Sequence, residues 1–165
     1  MNKLIVLSGV PGSGKSYFSN TIKKIKGAHV YVVSSDSLRR EITGSQSNID
    51  HEQLVWTIFY ELAKSYSHDK EGIVILDATH ITSTLRVDKN QILKPLFDEV
   101  ILVMWKLDKN VVSNQNLQRE YPIAPDVLDM FFNQFELPTE KDEKFFDKII
   151  MITNNDIAPA IKEII

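Results

Sequence analysis

The chain has 165 residues, of which 43% are hydrophobic and none is cysteine, and its formal net charge at pH 7 is −3. This length and composition predict one domain with a proper core, residues 1–165. The slight negative charge argues against a general binder of long nucleic acids, so any nucleic-acid contact is expected to be local and limited to a strand end. The lack of cysteine excludes disulfides, thiolate metal sites and a cysteine nucleophile.

The chain opens with an apolar run, LIVLS at Leu4–Ser8, that is rich in β-branched residues and predicts a buried strand. Its apolar part, Leu4–Leu7, is far too short to span a membrane. The opening residues MNKLIVLSG lack the pattern of a signal peptide. We therefore expect a cytoplasmic protein.

The next segment, Gly9–Ser16, reads G-x-x-x-x-G-K-S and runs into a predicted helix at Lys15–Lys26. This pattern between a strand and a helix predicts a phosphate-binding loop, or P-loop, in which backbone N–H groups and the helix N-terminus face an anion. Lys15 is expected to contact the β- and γ-phosphates of a nucleotide, and Ser16 to coordinate Mg²⁺. The predicted nucleotide-binding residues in this segment are Gly9, Pro11, Gly12, Ser13, Gly14, Lys15 and Ser16.

A second apolar run, VYVVS at Val30–Ser34, predicts a strand that is followed by the polar segment SSDSLRRE. In parallel sheets the ligand crevice lies beyond the carboxyl ends of the strands, and a helix that starts near Ser37 brings Asp36 and Arg39 to neighbouring positions. Asp36 can take a proton from a hydroxyl, and Arg39 can hold a carboxylate or phosphate. The alternative is that Asp36 or Ser35 only caps the helix and that Arg39 and Arg40 are solvated surface charges.

The periodic segment at roughly Asp50–Ser67 predicts a helix. Its residues Trp56, Phe59, Tyr60 and Leu62 lie at helical spacing, which favours a core-facing side over a partner-binding surface. No aromatic-rich base-stacking motif is evident, so the pattern does not distinguish DNA from RNA.

The third apolar run, IVILD at Ile73–Asp77, predicts a strand that ends in DATH. Asp77 is interpreted either as an acceptor-site aspartate or as a carboxylate that serves only Mg²⁺ in an ATPase or GTPase. The chain has no N-K-x-D segment for guanine recognition, which argues against a GTPase. The four histidines form no metal-ligand spacing, and only His80 lies in the predicted crevice.

The remaining segments continue the alternation of strands and helices. Helices are predicted at Thr82–Leu96, Lys109–Arg119, Pro125–Phe135 and Ile157–Ile165, and strands at Val100–Leu107 and Lys148–Thr153. The polar segment Leu137–Asp147 is interpreted as a solvated surface loop. This rhythm predicts an α/β fold, a parallel five-stranded sheet of the P-loop NTPase type with helices on both faces.

The two predicted helices after the fourth strand, within residues 109–137, are interpreted as a helical lid over the nucleotide. Arg119 lies near the end of the first helix, where it can neutralise charge on the phosphoryl group in transit while closure excludes water. The alternative is an exposed arginine that pairs with Glu120 or Asp126.

Together the segments GVPGSGKS, SSDSLRRE, LDAT and NQNLQRE followed by PDVL resemble the family of P-loop kinases related to bacteriophage polynucleotide 5′-hydroxyl kinase. The resemblance covers most of the chain and implies a tunnel-like cleft, entered by a nucleoside triphosphate on one side and a strand end on the other. It implies that Asp36 is the general base and that Arg39 holds the acceptor's 3′-phosphate. It also implies that Asp77 orients those groups and that Arg119 contacts the donor phosphates.

The chain departs from this family in its lid. The family often shows R-N-x-x-R, whereas this chain has Gln115 in place of the first arginine, so more of the phosphate contact is expected to rest on Arg119. Arg86, after the DAT segment, has no assigned role. No D-x-D-G-T phosphatase motif is present, and a kinase-only form is expected.

The leading expectation is transfer of the γ-phosphate of ATP, with Mg²⁺, to the 5′-hydroxyl end of DNA or RNA. The expected catalytic residues are Lys15, Asp36 and Arg119, and the expected acceptor-binding residues are Asp36, Arg39 and Asp77. One alternative is a small-molecule or nucleotide kinase built on the same sheet. Another is a nucleotide-hydrolysing switch module, because a P-loop fold alone does not determine function.

Overall fold

The computed structural model describes residues 1–165 and contains a single five-stranded sheet. All neighbouring strands are parallel, in the order β2-β3-β1-β4-β5, which confirms the predicted sheet. Each strand boundary lies within two residues of its predicted position. The strands are β1 (Lys3–Ser8), β2 (Val30–Ser34), β3 (Ile73–Asp77), β4 (Glu99–Trp105) and β5 (Lys148–Ile152).

Eight α-helices surround the sheet, and none of them is long and apolar enough to cross a membrane. They are α1 (Lys15–Lys26), α2 (Ser35–Thr43), α3 (Glu52–Tyr66), α4 (Ser83–Val87), α5 (Lys109–Leu117), α6 (Pro125–Gln134), α7 (Glu140–Phe145) and α8 (Ala158–Ile164).

Both faces of the sheet are buried, as expected from the continuous apolar strands. Successive residues of a strand point to opposite faces, so in β1 Leu4 and Val6 pack with α3 on one side, while Ile5 and Leu7 pack with α1 and α8 on the other. Because these strands are parallel, the carboxyl ends of β1, β2 and β3 lie at the same edge of the sheet. The predicted site residues come directly after these strand ends.

The predicted helix Thr82–Leu96 is wrong over most of its length. α4 ends at Val87, and the chain continues in 3₁₀ turns at Asp88–Asn90 and Lys94–Leu96. The Asn90 side chain donates a hydrogen bond to a backbone carbonyl of α4, and Pro95 lacks an amide proton and disfavours helical backbone before it.

The interpretation of Leu137–Asp147 as a solvated surface loop is also wrong, because this segment contains α7. Thr139 and Asp142 form a capping box at the start of α7, a local signal present in the sequence. Asp142 is fully buried, and its two carboxylate oxygens accept hydrogen bonds from Nε and a terminal nitrogen of Arg86 at 2.9 and 3.0 Å.

Arg86, which had no predicted role, connects four parts of the fold. Besides Asp142, its fully buried guanidinium donates to the Ser8 hydroxyl at the end of β1, to the His80 carbonyl after β3 and to the Leu137 carbonyl after α6. Burial raises the pKa of Asp142, but the hydrogen bonds from Arg86 and Thr139 and the charge of Arg86 together outweigh it and hold that pKa below its ordinary value. The buried charges are thus paired and hydrogen-bonded.

We expect Asp142→Ala to lower the free energy of unfolding by about 3–5 kcal/mol, because it leaves the Arg86 guanidinium buried without its counter-charge. Urea denaturation measures this difference. Lys144→Ala is the matched control on the same helix, since its ion pair with Glu140 is largely exposed and should contribute about 1 kcal/mol or less. Equal losses in the two variants would contradict the prediction.

Candidate functional site

The P-loop, residues 9–16, lies at the N-terminus of α1, as predicted. A Cβ atom at Gly9 would lie 2.7 Å from the Ser13 hydroxyl oxygen, so any larger residue there requires the Ser13 side chain to move. Lys15 Nζ donates to the Gly9 and Val10 carbonyls, each at 3.0 Å. Burial lowers the pKa of Lys15 to about 8, opposed by the nearby charge of Asp77. The ammonium group of Lys15 is therefore held by carbonyl oxygens of the loop itself. Phosphate oxygens can replace these carbonyls as its hydrogen-bond acceptors.

Ser16 and Asp77 meet where α1 and β3 approach each other. The Ser16 hydroxyl donates to Asp77 Oδ2 at 2.8 Å. Burial raises the pKa of Asp77, although the charge of Lys15 and the bond from Ser16 act in the opposite direction.

This pair also fits a magnesium ion. Mg²⁺ keeps several waters and takes few protein ligands besides phosphate oxygens, so one hydroxyl and one carboxylate are a suitable donor set. No group of three or more His, Cys, Asp and Glu residues is arranged to hold a metal ion by protein ligands alone. The geometry favours the metal-side interpretation of Asp77 over the acceptor-side one.

Asp36 lies in the first turn of α2, directly after the carboxyl end of β2. Ser34 caps this helix, because its hydroxyl oxygen accepts the Ser37 amide at 3.2 Å. Asp36 is thus not the cap, and its side chain stays about half exposed. Its Oδ1 accepts a hydrogen bond from Arg39 at 2.8 Å, so the two residues meet as the spacing predicted.

Arg39 is not a solvated surface charge, since only 8% of the residue is exposed. Its Nε and one terminal nitrogen donate to the two carboxylate oxygens of Glu52 at 2.8 and 2.7 Å. Its other terminal nitrogen donates to Asp36 and to the Gln46 carbonyl. Arg39 makes a forked contact with a carboxylate, but that carboxylate belongs to the chain itself and not to a substrate.

Glu52 is the residue that the sequence analysis missed. It lies in the first turn of α3, and a glutamate there is also an ordinary helix start. No local spacing joins it to Arg39, because the chain between them turns back through a loop.

The predicted lid segment contacts both the P-loop and α2. The Gln115 side-chain amide donates to the Gly12 carbonyl at 2.7 Å. The glutamine that replaces the family's first lid arginine thus connects the predicted lid segment to the P-loop. Arg119 lies 3.7 Å from Asp36 Oδ2 and pairs with neither Glu120 nor Asp126. Beyond it, the Tyr121 ring packs against the Arg40 guanidinium.

The turn between α5 and α6 is fixed by Asn116. Its side-chain amide donates to the Ile123 carbonyl at 2.7 Å and accepts the Ile123 amide at 2.9 Å. Asn116 is itself buried, and it contacts Gly12 of the P-loop from the side. The charges of Asp77, Arg119 and Asp36 lie close enough to Lys15 to affect its pKa.

A protein-family model described as "AAA domain" matches residues 4–138. Among curated proteins, L-seryl-tRNA(Sec) kinase of Methanococcus maripaludis is 23% identical over 141 residues. The match covers 84% of this chain and 54% of that protein, so the chain spans about half the length of this relative.

Three solved structures resemble the fold. A gluconokinase from Sinorhizobium meliloti is 16% identical with a TM-score of 0.65, covering 98% of this chain and 88% of that chain. Kti12 of Chaetomium thermophilum in complex with ADP-AlF3 is 16% identical with a TM-score of 0.71, covering 97% and 94%. A fungal RNA kinase is 15% identical with a TM-score of 0.68, covering 99% and 83%. At these identities the likeness is one of fold.

These comparisons support the expected P-loop kinase-like α/β domain, and several of the similar proteins are kinases by name. The finer resemblance to bacteriophage polynucleotide kinases stays a prediction, as do the roles of the individual site residues.

We expect Gln115→Ala to open the lid segment more often, because it removes the hydrogen bond to the Gly12 carbonyl. A bond of about 1 kcal/mol corresponds to roughly fivefold faster amide hydrogen exchange in α5 and α6. Gln118→Ala is the control, since Gln118 is exposed and its side chain makes no hydrogen bond. Identical exchange in both variants would rule out a latch at Gln115.

Proposed function

The chain belongs to the AAA domain family, and from this membership and the site geometry we propose that it transfers the γ-phosphate of ATP to the 5′-hydroxyl end of DNA or RNA. The observation that carries the proposal is the approach of Arg119 to Asp36, 3.7 Å apart. It joins the segment over the P-loop to the acceptor-side carboxylate. Phosphoryl transfer requires such positioning and charge neutralisation more than covalent chemistry.

On the donor side, residues 9–16 cradle the phosphates and Lys15 contacts the β- and γ-phosphates. Ser16 and Asp77 are the residues that would hold Mg²⁺. When bound, this ion neutralises phosphate charge. Arg119, on the lid of residues 109–137, stabilises the charge that builds on the γ-phosphoryl group.

On the acceptor side, Asp36 takes the proton of the attacking hydroxyl as the new oxygen–phosphorus bond forms, while the bond from the γ-phosphorus to the oxygen that bridges it to the β-phosphate breaks and ADP leaves. Arg39 and Glu52 hold its carboxylate in one orientation, which a general base needs in order to act along a single direction. A contribution of about 10²–10⁴ in rate is typical for such a base. A nucleic acid acceptor is supported by the names of the seryl-tRNA kinase and the fungal RNA kinase.

The proposal predicts that labelled γ-phosphate passes from ATP to an oligonucleotide with a 5′-hydroxyl and not to its 5′-phosphorylated twin. Asp36→Asn should lower kcat by about 100-fold or more, because the amide cannot accept the proton. Ser37→Ala, one residue on and exposed, is the matched control and should keep the wild-type rate. Absence of label in nucleic acid above the Asp36→Asn level would refute the proposed acceptor.

A small-molecule kinase is the second candidate, and the arrangement around Arg39 favours it. Glu52, Asp36 and the Gln46 carbonyl occupy most of the guanidinium donors, so Arg39 must give up a contact before it can hold an acceptor phosphate. A gluconokinase is among the structures of similar fold.

Arg39→Gln separates the two candidates when acceptors with and without a 3′-phosphate are compared. If Arg39 holds the acceptor phosphate, KM rises about tenfold or more for the phosphorylated acceptor alone. If Arg39 only positions Asp36, kcat falls equally for both acceptors, and Glu52→Gln reproduces that fall. A KM effect restricted to the 3′-phosphate would exclude the pure positioning role.

A further inference from the structure

A concave site lies beside the proposed acceptor residues. It is a cavity of about 330 Å³ between α3, the end of β3 and α4, and its walls include Trp56, Tyr60, Thr79, His80 and Lys89. Its volume is at the lower end of the range for small-ligand sites. None of the roles proposed above uses these residues.

The cavity adjoins the proposed base through one face of α3. Glu52, Trp56 and Tyr60 are four residues apart, so they lie along one side of the helix with a rise of about 6 Å per step. Glu52 binds Arg39, which in turn binds Asp36. A group in the cavity is therefore about one helical turn away from the cluster of Glu52, Arg39 and Asp36.

His80 has an unpartnered ring nitrogen. The residue is 4% exposed, its Nδ1 is 2.7 Å from the Leu7 carbonyl, and its Nε2 is buried without a hydrogen-bond partner. A carbonyl can only accept, so Nδ1 carries the proton. Burial lowers the pKa of His80 to about 4, so the ring is neutral near pH 7 and Nε2 is an acceptor.

The backbone of His80 is also strained. Its φ of 42° is the only positive value at a non-glycine residue of the chain. Such conformations cost free energy and cluster at ligand sites. The strain and the buried acceptor occur at the same residue, directly after the DAT segment.

We propose that this cavity binds the terminal base of the nucleic acid acceptor, with the base stacked on Trp56 or Tyr60. The entering base displaces the side chains that cover Nε2 of His80 and donates an exocyclic N–H to it. The inference rests on the proposed function, since it assigns the acceptor's base to a place beside Asp36. Aromatic side chains stack with bases of any sequence, and the single acceptor adds a preference for bases with an amino group. Lys89, exposed at the cavity wall, adds a positive charge suited to the adjoining phosphodiester.

The test compares 5′-hydroxyl oligonucleotides that end in adenine, in purine without the 6-amino group, or in an abasic sugar. Binding is followed by Trp56 fluorescence in a Trp105→Phe background, which leaves Trp56 as the single tryptophan, with ADP present to fill the donor site. The adenine end should bind about tenfold more tightly than the purine end, because purine leaves Nε2 unpaired.

Two variants isolate the proposed contacts. His80→Asn keeps an N–H for the Leu7 carbonyl and tolerates positive φ, but it lacks Nε2, so adenine and purine ends should bind within about twofold of each other. Trp56→Leu, measured by calorimetry, should weaken both base-bearing ends by about tenfold and leave the abasic end unchanged.

Equal binding of adenine and purine ends by the wild type, or an adenine preference that survives in His80→Asn, would overturn the inference. The binding assay requires no phosphate transfer. Base preference without label transfer would leave this site standing and refute the proposed function. Label transfer without base preference would support the proposed function and overturn this inference.

Discussion

The architecture of the site depends on one buried arginine. Arg86 is surrounded by the end of β1, the loop after β3, the segment after α6 and α7, and its guanidinium donates to each of them. A charge in this position requires every donor to be satisfied, so the four segments can pack in only one relative arrangement. The P-loop begins directly after β1 and the lid ends directly before α7, so their fixed ends share this anchor.

The site itself is a set of charges that restrain one another. Asp36 lies between two arginines, with Oδ1 on Arg39 and Oδ2 facing Arg119, and Glu52 balances the charge of Arg39. On the other side, Lys15 lies near the buried Asp77. Opposite charges therefore alternate from the P-loop to α3, which lets a crowded group of ionisable side chains exist without a large net charge.

The fold could be predicted from the sequence to the extent that its signals are local. Continuous β-branched runs gave the strands, and Gly9–Ser16 placed the P-loop, because such patterns act over a few residues. The capping box of α7 is a local signal that was overlooked, whereas the burial of Asp142 depends on its pairing with Arg86, 56 residues away, and has no local signal. Glu52 was not predicted because its contact with Arg39 is also non-local, and the metal-side interpretation of Asp77 is favoured only by its contact with Ser16 in the structure.

The lid segment touches the P-loop through Gln115 and α2 through Arg119 and Tyr121, so it belongs to both halves of the site. A ligand that moves Arg119 away from Asp36 therefore changes the affinity for a ligand beside Asp36, and thermodynamic reciprocity makes the converse change equal in size. Under the proposed function, donor and acceptor affinities are then properties of the pair of ligands rather than of two separate sites. An affinity measured with one ligand alone therefore does not give the affinity of that ligand in the presence of the other.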